Sequence, residues 1–312
     1  MTLIVPTPID AVDRLAAEGI TVTVEPRDAV PATPAVELAL LNLMPDKPVT
    51  ETQVLRLLSG AGLPVRVTLL RPRDHVSRST PEAYLKEHYL THEDVADRRF
   101  DALIVTGAAV ELLPFEEVTY WDELRGIMDW ARENVTSAQY VCWGAQAALY
   151  HRYGIPKHEL PAKLFGNFPN RLTDPSSPLL ADIESVIAVP QSRHTENLRA
   201  DFEKTEDLRI LVESPEAGVH IAASRDGREL YVSGHPEYDP DTLLRQYRRD
   251  AAKGADIALP AHYFPGDDPS AAPVENWQAP GRIFYRNWLR GLTRDGIPLA
   301  EIIGVTAEKT GV

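Results

Sequence analysis

The stretch Ser137–His151, SAQYVCWGAQAALYH, carries the only cysteine of this 312-residue chain, and its reading decides the fold. Gln139-Tyr140-Val141 reads as strand, whereas Gln146-Ala147-Ala148-Leu149 reads as helix. Cys142 therefore stands at a strand-to-helix bend. A tight bend of this kind lifts one side chain clear of the sheet and aims backbone N–H groups and a helix N-terminus at it. That environment favours a thiolate and can hold an oxyanion. Gly144 relieves crowding just after the bend. A lone cysteine is more often a small buried hydrophobe, so the partners supplied by the rest of the chain decide its meaning.

Upstream, residues 1–34 contain a candidate helix, Ile9–Glu18, and a proline-rich connector, EPRDAVPATP, together expected to form an arm packed on the domain or on a partner subunit. From Val36 the pattern turns regular. ELALLNLM is an apolar run of strand length, expected to be the first core strand and buried on both faces. Thr50-Glu51-Thr52-Gln53 has the form of a capping box ahead of a helix that Gly60 ends. VRVTLLRP is a second strand, a helix is expected over Pro81–His88, and DALIVTGA is a third strand running into a glycine turn. Trp121, Leu124, Met128 and Ala131 mark an amphipathic helix before the strand that leads to Cys142.

Downstream, SVIAVPQ, LRILVES, VHIAASRDG and ELYVSGH read as four more strands, with Arg225-Asp226-Gly227 as a hairpin turn and at least part of this half antiparallel. Thr242–Lys253 is a helix, and Phe284, Trp288 and Leu292 line another. Strands alternating with helices predict an α/β fold with a mostly parallel sheet flanked by helices, its reactive groups at the carboxyl ends of the strands. The expected organisation is an arm over 1–34, one α/β domain over 35–293 and a tail over 294–312.

Composition narrows the function. The net charge of −14 has the wrong sign for a nucleic-acid surface, and no Lys/Arg stripe is interleaved with aromatics. No apolar run reaches the length of a membrane span. One cysteine leaves no disulfide framework and no thiolate metal cluster, which points to a reducing, cytoplasmic setting. The start, MTLIVPTPIDAVDRL, lacks the basic opening of a signal peptide. His75, His88 and His92 share one polar segment without convincing ligand spacing, so no metal is expected.

The second piece of chemistry is VSGHPEYD, residues 232–239. His235 and Glu237 flank Pro236, and residues two apart in an extended segment project to the same side. A carboxylate can then orient the imidazole while its other nitrogen faces a nucleophile. With Cys142 this makes a set suited to acyl transfer through a thioester.

NLMPDKPVTETQVLRLLS, VTGAAVELLPFEEV, YVCWGAQAALY, YGIPKHELPAKLFG, SRHTE and GHPEYDPDTL together resemble the homoserine O-acyltransferase family of methionine biosynthesis, over about Leu38–Leu289. That family is a branch of the fold shared with class I glutamine amidotransferases (flavodoxin-like). The resemblance implies acyl transfer from acyl-coenzyme A to the hydroxyl of L-homoserine, with no bound cofactor, acetyl-CoA as co-substrate and a homodimer. It places the acyl-thioester at Cys142, the general base at His235 and its carboxylate partner at Glu237. It implies substrate contacts at Lys163 and Ser192, which on their own read as loop residues, and at Arg249 on a helix. The oxyanion would be held by backbone N–H groups, of Trp143 and of the turn near Gly107. Glu111 falls where glutamate goes with acetyl donors and glycine with succinyl. A succinyl carboxylate about 4 Å from Glu111, at an effective dielectric of about 20, would be repelled by roughly 4 kcal/mol. Three positions depart from the family pattern and are expected around the pocket: Ala109, Leu112 and Gln191, the last beside an acceptor-contacting position. A succinyl donor, a serine acceptor, a Cys-His-Glu amidase on the same fold and a binding protein with a vestigial site are the alternatives.

Overall fold

The computed structural model describes residues 2–75, 77, 79–294 and 296–302. In chain order the elements are β1 (Leu3–Val5), α1 (Asp10–Ala17), β2 (Val22–Val24), β3 (Val36–Leu41), α2 (Lys47–Leu58), β4 (Val65–Leu70), α3 (Glu82–His88), β5 (Phe100–Val105), α4 (Trp121–Asn134), β6 (Val135–Val141) and α5 (Trp143–Tyr153). There follow β7 (His158–Leu172), β8 (Val186–Glu196), α6 (Arg199–Phe202), β9 (Leu208–Ser214), β10 (Gly218–Ser224), β11 (Glu229–Val232), α7 (Thr242–Ala252) and α8 (Gln278–Arg290). All the strands just named join one 11-stranded sheet of order β2-β1-β4-β3-β5-β6-β11-β10-β9-β7-β8.

From β2 to β11 every pairing is parallel. Beyond β11 every pairing is antiparallel. The continuous apolar runs of β3 and β5 follow from burial on both faces. Leu38 and Leu40 point to the side covered by α2 and α8, through Val54, Leu57, Phe284 and Trp288. Ala39 and Leu41 point to the opposite side, covered by α4 and α5 through Leu124, Met128, Ala145 and Leu149. Each leucine, valine, methionine or phenylalanine among them, fully buried, contributes about 1.5–3 kcal/mol.

Three expectations are corrected. The segment expected as an arm instead extends the sheet: β1 is buried and pairs with β4, and β2 pairs with β1. Three-residue strands, β1 running straight into Pro6, carry too short a pattern to be read from sequence, so the first core strand is not at Val36. The capping box is not the start of α2. Asp46 is the N-cap, accepting from Val49 N–H at 3.3 Å, with Pro48 in the first turn. Thr50 and Thr52 instead donate back to the carbonyls of Asp46 and Pro48. The regions around Lys163 and Ser192 are not loops: Lys163 lies in β7, a 15-residue strand whose register shifts between Glu159 and Leu164, and Ser192 lies in β8. Of the segment expected as a tail, residues 303–312 lie outside the described residues. Among the described residues no helix is long and apolar enough to cross a membrane.

Candidate active site

β6 ends at Val141, and Cys142 takes φ 51° and ψ −118° before α5 begins. A non-glycine residue there is strained by about 1–3 kcal/mol, and the surrounding packing imposes it. Cys142 N–H donates to Val232 O of β11 at 2.7 Å, and Cys142 O accepts from Ala145 and Gln146 in the first turn of α5. Gly144 lets this turn approach β5: a Cβ there would stand 2.7 Å from Thr106 O. As the first residue of α5, Trp143 has an N–H that the helix leaves without an internal acceptor. Gly107 closes on the elbow from the neighbouring strand end, where a Cβ would meet Cys142 Cβ at 3.1 Å.

β11 runs parallel to β6 and delivers the histidine to the same end of the sheet. His235 N–H donates to Pro190 O of β8, and Gly234 permits that contact, since a Cβ there would meet Val189 Cγ1 at 2.3 Å. His235 Nδ1 lies 2.6 Å from Glu237 Oε1. The pair is made by a turn rather than an extended segment, for Tyr238 N–H returns to His235 O at 3.2 Å. The imidazole and Cys142 line the same cavity. Burial opposes charge on this imidazole, but Tyr238, Glu237 and Cys142 outweigh it and hold its pKa well above the ordinary histidine value. Tyr238 stacks on the ring at 4.2 Å and 7°. Its hydroxyl is pushed up to about 12, chiefly by burial. The Tyr238 carbonyl is pinned by Trp277 Nε1 and Gln278 Nε2, both at 2.9 Å.

In front of Cys142 opens a cavity of about 730 Å³. Its wall includes Gly107, Glu111, Cys142, Lys163, Ser192, His235 and Arg249, so residues scattered over more than a hundred positions meet in one place. Glu237 stands behind His235, and the Trp143 indole is buried below the elbow. Lys163 Nζ and Arg249 Nε both reach Asp250, at 3.3 and 2.7 Å. Arg249 first, against burial, and then Lys163 hold the Asp250 carboxyl below the usual carboxylate range. Ser192 Oγ donates to Gln246 Oε1 at 2.6 Å. Lys157 Nζ donates to the carbonyls of Glu111 and Leu113, fixing the turn that carries Glu111.

Sequence reasoning missed Asp250, Gln246, Tyr238 and Lys157. The first two sit one and three positions from Arg249 on a polar helix, where nothing local separates a cavity-lining side chain from a solvated one. Of the three departures, only Ala109 faces the cavity. Leu112 is exposed, and Gln191 is corrected: it is fully buried on the face of β8 opposite Ser192 and does not line the cavity.

A cysteine on a strand–helix elbow beside a His–Glu pair, at the carboxyl ends of parallel strands, defines a class I glutamine amidotransferase-like α/β fold. A glutamine amidotransferase from Methylobacillus flagellatus shares that fold at TM-score 0.51 and 12% identity, over 85% of this chain and 98% of that one. Within this class the chain belongs to the homoserine O-succinyltransferase family, whose profile matches residues 2–298. The chain is 47% identical to a homoserine O-acetyltransferase of Brevibacillus brevis over 93% of this chain and 94% of the relative. It is equally 47% identical to one of Acetivibrio thermocellus, over 93% and 95%.

Proposed function

We propose that this chain transfers an acetyl group from acetyl-CoA to the hydroxyl of L-homoserine through a thioester on Cys142, a step of methionine biosynthesis. The observation that carries the reading is that Cys142, the His235–Glu237 pair, Glu111, Lys163, Ser192 and Arg249 converge on one cavity. The Cys142 sulfur attacks the acetyl-CoA carbonyl while its charge passes to the carbonyl oxygen, met by the N–H groups of Trp143 and the Gly107 turn. The bond to the CoA sulfur breaks, and His235 gives that sulfur its proton. Neutral His235 then takes the proton of the homoserine hydroxyl, whose oxygen attacks the thioester. Cys142 leaves as the anion, and the cycle is ping-pong. Glu237 keeps Nδ1 protonated and the catalytic nitrogen aimed at the sulfur. Arg249 and Lys163 hold the acceptor carboxylate, and Ser192 orients the acceptor beside them. The reading needs neither a resident cofactor nor a metal, and it includes a cytoplasmic homodimer, which light scattering of the purified enzyme tests.

The succinyl donor, which the family's name carries, is the second reading. Glu111 on the cavity wall favours acetyl, because a repulsion of roughly 4 kcal/mol is about a thousandfold in affinity. The test is initial-rate CoA release from acetyl- and succinyl-CoA, with homoserine and then serine as acceptor, and intact-mass detection of an acetylated enzyme before acceptor is added. Turnover with acetyl-CoA and homoserine, with the acetyl group on Cys142, is expected. Preference for the succinyl donor, or no acetylated enzyme, would overturn the donor assignment or the covalent route respectively.

A further inference from the structure

Arg193 lies on β8 and is 3% exposed. Its guanidinium donates only to neutral acceptors: Nε to Gln191 Oε1 at 3.2 Å, Nη1 to Thr195 O at 2.9 Å and Nη2 to Ala217 O at 2.6 Å. Among the described residues it forms no salt bridge. A guanidinium stays charged in proteins, and burying one without an ion partner costs several kcal/mol. Such a charge is retained where another group uses its field.

The group in place to use it is the nucleophile. A small cavity of about 20 Å³ beside the elbow has Cys142, Arg193, Gln146, Glu196, His220 and Ser233 on its wall, Glu196 without an ion pair to Arg193. Burial is the main effect on Arg193 and pulls its pKa down; of the groups that pull it back up, Cys142 comes first, before Glu196 and Glu111. His220, on β10, supplies no compensating charge. Burial, then His235 and Arg193, drive its pKa down to about 3, and its Nδ1 accepts the Gly234 N–H at 3.3 Å.

We propose that Arg193 is a positioning residue of the reaction: its unpaired charge in the wall beside the elbow stabilises negative charge on the Cys142 sulfur, and a neutral Gln191 leaves that charge available. The proposal rests on Cys142 being the nucleophile. It separates two roles of β8, whose Ser192 faces the substrate cavity while Gln191 and Arg193 face the core behind the sulfur.

Gln191→Glu isolates the effect. Gln191 Oε1 already accepts from Arg193, and its Nε2 is buried without a partner, so an oxygen in its place breaks no hydrogen bond. A glutamate there stays ionised against the guanidinium and neutralises it. The substitution leaves the other titratable groups around the sulfur in place: His235 and Tyr238 on the turn after β11, His220 on β10, Glu111 after β5, and His194 and Glu196 on β8. The Lys163–Asp250–Arg249 group across the cavity is unchanged too.

The experiment measures the rate of iodoacetamide alkylation of Cys142 against pH in the full-length enzyme, with thermal unfolding as the check on folding. Gln191→Glu is expected to alkylate about tenfold more slowly at neutral pH, its profile displaced upward by about one pH unit. Arg193→Lys, which keeps the charge, is expected to stay closer to the wild-type profile than Arg193→Gln, although both lose the guanidinium's hydrogen-bond fork. A folded Gln191→Glu enzyme with a wild-type profile overturns the proposal. If that variant does not fold, coincident profiles for Arg193→Lys and Arg193→Gln overturn it. Alkylation does not require turnover, so failure of the covalent mechanism would show separately, as wild-type enzyme that takes up no acetyl group.

Discussion

The two sides of the active-site cavity are built differently. On the nucleophile side, Cys142 and His235 are set by backbone packed against backbone: Gly144 under Thr106 O, Gly234 under Val189 and Pro190, and the parallel register of β6 with β11. On the side proposed to take the acceptor, Lys163, Ser192 and Arg249 are set by side chains holding side chains, through Asp250 and Gln246. Close-packed backbone has no low-energy alternative, whereas a pair of partly exposed polar groups exchanges its partner for a substrate at little cost. On the proposed function, the Cys142 side therefore sets which reaction is possible, and the Lys163–Ser192–Arg249 side sets which molecule enters it.

The sharpest way to break the comparison is at the sulfur. Cys142→Ala is expected to lower kcat by on the order of 10⁶ and to abolish the acetylated enzyme seen by intact mass, with the acceptor side untouched. Glu237→Gln is expected to cost roughly 10³–10⁴ in kcat, read in steady-state kinetics. It also has a stability signature. His235 has a raised folded pKa, so its charged form stabilises the fold fully below the unfolded value of about 6.5. That contribution is lost as pH rises through the folded value. Removing the Glu237 charge lowers the folded value, so the wild-type advantage in thermal unfolding is expected to shrink with rising pH.

Glu111→Gly is expected to change the ratio of kcat/KM for acetyl- over succinyl-CoA by about a thousandfold, while acetyl turnover falls far less. Gly144→Ala carries no chemistry, yet it forces the elbow off β5 against a backbone oxygen. A loss of about a hundredfold in kcat, with a lowered melting temperature, is expected, and wild-type kcat would show that packing does not hold the sulfur. Ser192→Ala should give the smallest effect. One hydrogen bond of about 1 kcal/mol corresponds to roughly a fivefold rise in KM for homoserine, with kcat nearly unchanged.

The same division governs what was legible in the sequence. The elbow could be read because a strand-forming run, one cysteine, a small residue and a helix-forming run follow each other without interruption. The His–Glu pair could be read because GHPE is local, although the turn that joins it reads as extended chain. β7 could not be read, since Pro161, Gly166 and Pro169 look like loop; its pairing with β8 and β9 absorbs them through a register shift and a close approach of Gly166 to Ala261. β1 and β2 were too short to show periodicity, and they become strands because β4 offers them an edge. Gln191 looked like part of the acceptor pocket because it adjoins Ser192, but neighbours on a strand face opposite ways.

By itself, the sequence determined the α/β rhythm, the elbow cysteine and the pairing of His235 with Glu237, because each depends on residues within a few positions of one another. The tertiary structure alone decided that Lys163, Ser192, Arg249 and Glu111 share a cavity with Cys142, and that Asp250 and Gln246 hold its acceptor side. It also decided that Arg193 lies buried and unpaired behind the nucleophile. Those relations join segments far apart in the chain, and sheet order and burial, which no local pattern encodes, bring them together.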